Sequence, residues 1–98
     1  MIAGGWYVLV EESIQLWNEI GWGLSRYYPA DDMEHAVGLA VQVAQTHQPR
    51  LPRWPQSRSL FRGPDGSWLV AVKGVTRHHT FRVTIAEYYG TFPDGTSA

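Results

Sequence analysis

Arg50, Arg53, Arg58, Arg62, Lys73, Arg77 and Arg82 are seven of the eight basic side chains of this chain, and between Arg50 and Arg82 only Asp65 opposes them. A guanidinium presents a planar fork of donors that matches a carboxylate or a phosphate, and it lies flat on aromatic rings. Six of the nine carboxylates lie before residue 35, so a net charge of -1 and a pI near 6.4 hide a polarised molecule. A local excess of one sign orients an anionic partner even when the whole-chain charge is close to zero.

Other chemistry is sparse. The chain has no cysteine, which excludes disulfides, thiolate metal sites and cysteine nucleophiles together. His78 and His79 are adjacent, and neighbours on a strand point to opposite faces, so the pair reads as a solvated turn and not as a chelate. Asp31, Asp32, Glu34 and His35 fall within one helical turn, where N-capping and the positive end of the helix dipole call for these residue types. None of Ser13, Ser25, Ser57, Ser59 and Ser67 sits in a nucleophile-elbow sequence, and the ten glycines lack the spacing of a phosphate-cradling loop. Enzyme function has no positive support, and neither a metal nor a cofactor is expected.

The elements that must position these residues follow from periodicity. Residues 6 to 10 alternate as a strand, with Trp6, Val8 and Val10 on one side and Tyr7 and Leu9 on the other. Residues 13 to 28 fit both a helical stripe (Ile14, Trp17, Gly21, Leu24) and period two. Gly21 and Gly23 weaken a helix by about 1 kcal/mol each, which favours a strand over residues 16 to 27. Asp31 and Asp32 open a helix expected over 31 to 47, apolar around so much of its circumference that it should be covered on more than one side, by a wrapping N-terminal segment or a dimer partner. Prolines 49, 52 and 55 make residues 48 to 56 a stiff extended strap, expected to pack over its own domain with Trp54 closing the end of the core. Gly63-Pro64-Asp65-Gly66 is a turn joining strands at 58 to 62 and 67 to 73, and residues 80 to 89 alternate as the last strand. The expected fold is α+β, a two-layer sandwich of a mostly antiparallel sheet and one main helix in the order β(β)αβββ. At 98 residues this is one domain, with a tail frayed after about residue 92.

With residue 62 paired to residue 67, Ser59, Phe61, Trp68, Val70 and Val72 share the helix side with Trp6, Val8, Val10, Phe81, Val83 and Ile85. The opposite face then collects Arg58, Leu60, Arg62, Leu69, Ala71, Lys73, Arg82, Thr84, Ala86 and Tyr88, with Tyr7 and Leu9. Arg58, Arg62 and Arg82 should therefore be neighbours away from the helix. Arginines among aromatics are the chemistry of protein interface hot spots. Five Trp, five Tyr and three Phe also exceed what so small a core needs. The sequence reads best as a non-enzymatic interaction or regulatory domain that self-associates, with Arg58, Arg62, Lys73, Arg77, Arg82, Tyr7, Tyr88 and Trp54 meeting a protein partner. The alternative is single-stranded nucleic acid or RNA on the same basic face, with the pI against it. A third reading is small-ligand binding or an enzyme at a dimer pocket. The N-terminus lacks the basic and apolar regions of a signal peptide and no stretch is long enough to span a membrane, so the cytoplasm is the expected location.

Overall fold

The computed structural model describes residues 5–16 and 19–94. Two long strands come first, β1 (Trp6–Leu16) and β2 (Glu19–Ala30), followed by the helix α1 (Met33–Thr46) and then β3 (Pro55–Arg62), β4 (Trp68–Gly74) and β5 (His78–Glu87). They form one five-stranded sheet in the order β2-β1-β5-β4-β3, with every neighbouring pair antiparallel. The expected α+β class and element order hold. No helix among the described residues is long and apolar enough to cross a membrane.

β1 outruns its expected end because its polar continuation is useful on both faces: Glu11 meets Arg82 on one side and Glu12 is buried on the other. β2 runs three residues past its expected end, through Pro29, which a sheet tolerates because β2 is an edge strand. Trp17, the reading of a helical stripe that included it, and residues 95–98 of the tail lie outside the described residues.

Helix α1 begins where the aspartates end. The Asp32 carboxylate accepts the backbone N–H of His35 at 2.7 Å, satisfying one orphan amide of the first turn, and the His35 ring reaches back so that Asp31 N–H donates to its Nδ1 at 2.9 Å. Ala36, Ala40, Val43 and Ala44 are buried against the sheet. Three of these are alanines, and such small side chains let the helix backbone approach Val8, Val10, Val70, Val72, Phe81 and Val83, all essentially inaccessible to water. Within one chain the opposite side of the helix is open, Met33 and Val37 being 47% and 44% exposed.

The hairpin between β3 and β4 departs from the expected register. Arg62 pairs with Trp68, not with residue 67. Gly63 N–H donates to Ser67 C=O at 2.8 Å and Gly66 adopts φ +83°, so a tight turn followed by a left-handed glycine makes a five-residue loop. A strand alternates with period two, so this single extra residue turns all of β3 over. Leu60 packs on the core, while Phe61 is 58% exposed on the far face. The register can be checked by urea unfolding: Leu60→Ala should cost about 2 kcal/mol and Phe61→Ala less than about 0.5 kcal/mol, whereas the reverse order would restore the original pairing.

Candidate functional site

Turning β3 over separates the three arginines. Arg58 pairs with Val72 and Arg62 with Trp68, both on the helix side, whereas Arg82 pairs with Leu69 and Glu11 on the open side. The composite basic face expected from the sequence does not form. Arg58 Nη1 instead donates to the Ala44 carbonyl at 3.1 Å, and its guanidinium carbon lies 5.8 Å from the Phe81 ring centroid. The Ala44 carbonyl is one of the last four of the helix, which intrahelical bonds leave unpaired, and the last turn of α1 contains no basic residue of its own. Arg58 thus completes the negative end of the helix from a neighbouring strand, and its burial lowers its pKa from the ordinary arginine value. Arg62 stacks near Trp68 at 5.9 Å.

The open face is built from alternate residues of the five strands. β2 contributes Trp22, Leu24 and Tyr27; β1 contributes Tyr7, Leu9 and Glu11; β5 contributes Arg82, Thr84 and Ala86. β4 and β3 add Leu69, Ala71, Lys73 and Phe61. At its centre Arg82 makes two parallel bonds to Glu11, Nε to Oε1 at 3.0 Å and Nη2 to Oε2 at 3.2 Å, while its guanidinium carbon lies 4.4 Å from the Trp22 ring centroid. Carboxylate and indole together hold the arginine flat on the sheet. Toward one end, Tyr7 stands edge-on to Tyr27 and to Tyr88, each at 6.0 Å, and these rings with Leu9 and Leu24 line a shallow apolar depression of about 350 Å³. Trp22, Leu24, Tyr27, Phe61 and Leu69 are each more than a third exposed. Of the residues expected at a partner interface, Tyr7, Tyr88, Lys73 and Arg82 lie on this face or its margin. Arg58 and Arg62 do not, and Arg77 with Trp54 belongs to a separate end of the molecule.

Trp54 does not close the core, being 70% exposed with Arg53 over its ring at 5.8 Å. The strap does cover its own domain, but through its prolines: Pro49 and Pro52 are buried, and Pro52 packs so close to Gly74 that a Cβ there would lie 2.5 Å from the proline.

A buried polar cluster escaped the sequence reading. Glu12 is 9% exposed, and its carboxylate accepts from Ser25 Oγ at 2.7 Å and from the Arg50 backbone N–H at 3.1 Å. His47 Nε2 lies 3.0 Å from one of its oxygens and His79 Nε2 3.3 Å from the other. Thus His79 is not in a solvated turn; β5 already includes it, paired with Val72, and its ring points to the helix side. His78, its neighbour, is exposed on the other face, as alternation requires. The signals in the sequence were an isolated Glu at a helix-facing position of β1 and a His at the helix terminus, but only the fold brings them together. No set of three metal-ligating side chains suited to an ion occurs among the described residues. No protein-family model, curated protein or solved structure matches the chain.

Burial alone would raise the Glu12 pKa. The hydrogen bonds from Ser25, His47 and the Arg50 amide, with the charge of His47, outweigh it and lower the value from 4.5 to about 2. A carboxyl whose pKa falls on folding stabilises the native state fully above its unfolded pKa, and that contribution disappears as pH drops from about 4.5 through 2. Discounted for partial solvent screening of the carboxylate, it amounts to about 2 kcal/mol. Urea unfolding at pH 7 and pH 2.5 should therefore show the wild type losing about 1 to 2 kcal/mol more than Glu12→Gln, which should itself be less stable at pH 7. Equal losses in the two proteins would mean that Glu12 is not held in this network.

Proposed function

We propose that this protein is a small non-enzymatic interaction domain that self-associates through the open face of its sheet. The observation that supports this is the contrast between the two faces. One is sealed by α1, and the other displays Trp22, Leu24, Tyr27, Phe61 and Leu69 around a central, internally neutralised Glu11–Arg82 pair. Exposed apolar surface of this extent on a sheet marks an interaction site more often than idle surface.

A second copy is the favoured occupant on grounds of area and charge. Five strands spaced by roughly 4.8 Å, each giving about eight residues at ~3.3 Å, present a projected face of roughly 600 Å², close to the ~800 Å² per partner of a standard interface. Because Glu11 and Arg82 satisfy each other within one chain, two copies facing across a twofold axis bring no unpaired central charge into contact. Sheet-on-sheet packing at about 10 Å would then bury the exposed rings between two layers.

Sedimentation across a concentration series tests the reading. The wild type should reach a dimer in the micromolar range. Leu69→Glu, which adds a second carboxylate beside Arg82 and leaves a net charge at the centre of the face, should raise the dimer dissociation constant at least tenfold, equivalent to about 1.4 kcal/mol. Val37→Glu, on the outer side of the helix, should leave the constant unchanged. A wild type that stays monomeric at all concentrations, or one dissociated by the helix substitution and not by the sheet substitution, would overturn the proposal.

A further inference from the structure

The end of the sheet that carries the β4–β5 turn holds a cleft of about 340 Å³, between the strap and that turn. Leu51, Pro52, Arg53 and Trp54 form one wall, and Val75, Thr76 and Arg77 the other. Its volume falls in the range of roughly 300 to 1,000 Å³ typical of small-ligand sites. No carboxylate lines it, and neither Arg53 nor Arg77 has an acidic partner within 4 Å among the described residues.

Both walls are held in place without a ligand. Pro52 is wedged against Gly74, where there is no room for a side chain, and the turn is closed by Gly74 N–H donating to the Arg77 carbonyl at 2.8 Å. On this frame Trp54 is 70% exposed and Val75 is 66% exposed. Arg53 lies 5.8 Å from the centroid of the Trp54 ring. A cation resting against an indole fixes the ring's orientation while leaving much of its surface free to stack. Lys73, exposed at the root of the same turn, extends the positive character beyond the cleft.

Two unneutralised guanidinium groups ask for phosphate or carboxylate, and the exposed indole beside Arg53 asks for a flat apolar group on the same ligand. A nucleotide unit of a single-stranded nucleic acid supplies both: a base to stack on Trp54 and phosphates for Arg53 and Arg77. An acidic peptide would satisfy the arginines and leave the ring idle. We propose that this cleft binds single-stranded nucleic acid, one base stacked on Trp54, at a site separate from the self-associating face.

Fluorescence anisotropy with a labelled single-stranded oligonucleotide of eight residues, titrated at 50 and 150 mM salt, reads the proposal directly. Neutralising two phosphates predicts a slope of log affinity against log salt of about -1.4, and Arg77→Ala should reduce its magnitude by about 0.7. Trp54→Ala should weaken binding about tenfold with the slope unchanged, a combination that charge alone would not produce. Both residues are exposed, and an unchanged circular dichroism spectrum confirms that each variant is folded. Leu69→Glu should bind the oligonucleotide like the wild type, which separates this proposal from the dimer. Absence of binding at 50 mM salt, indifference to Trp54→Ala, or displacement of the oligonucleotide by an acidic peptide at lower concentration than by unlabelled strand would each overturn it.

Discussion

The Glu12 carboxylate is where the parts of this fold meet. It sits on β1, accepts from Ser25 on β2, from the Arg50 amide in the strap, and is approached by His47 at the end of α1 and His79 at the start of β5. Groups from three other parts of the chain, around residues 25, 47 to 50 and 79, therefore converge on one charge. A buried carboxylate without partners would cost several kcal/mol, so each donor must be in place for the others to be tolerated. This constraint sets where the helix stops, where the strap turns back over the sheet, and which way His79 points. A core of valines and alanines fixes the distance between helix and sheet, but shape alone would allow the layers to slide; a carboxylate with four directed contacts does not.

Arg58 plays the corresponding role on the other side of the helix terminus. The last turn of α1 offers unpaired carbonyls and no basic residue, and β3 brings a guanidinium to one of them. Glu12 and Arg58 are thus both engaged by structure at this end. The exposed remainder, the aromatic open face and the Arg53–Trp54–Arg77 cleft, is what is left for partners. The two surfaces differ in kind. The face is broad, apolar and internally neutral, suited to another folded surface, while the cleft is narrow, cationic and rigid, suited to a ligand that is both flat and anionic.

The boundary between these roles depends on one residue of register. Had β3 paired one position earlier, Arg58 and Arg62 would have joined Arg82, Phe61 would have entered the core, and α1 would have lost its charge partner. The five-residue loop closed by Gly66 in the left-handed region prevents this, because it adds a single residue that shifts every later pair. The core also accommodates the observed pairing, with Leu60 packed against its buried residues.

Local chemistry written in the sequence determined a good deal. Alternation in 6 to 10, 67 to 73 and 80 to 89 placed Val8, Val10, Val70, Val72, Phe81 and Val83 inside, because the period of a strand is independent of what lies across from it. Asp32 marked the helix start, since capping needs only the amides of the next turn. The glycines in 21 to 23 pointed correctly to a strand, and the turn at residues 63 to 66 was legible from proline, aspartate and glycine. What the sequence did not determine were quantities that depend on partners far along the chain. The register of β3 turned on one loop residue, which hydrophobic pattern could not resolve because Leu60 and Phe61 are both apolar neighbours. Glu12, His47 and His79 looked like separate polar residues, one of them discounted as solvated, and became a cluster only when antiparallel pairing and the helix end brought them within 3.0 to 3.3 Å. Trp54 was expected to close the end of the core, yet Pro49 and Pro52 took the buried positions, Pro52 fitting against Gly74. Period and capping act over a few residues and can be read from them, whereas the faces and contacts that decide function arise only when distant segments share one space.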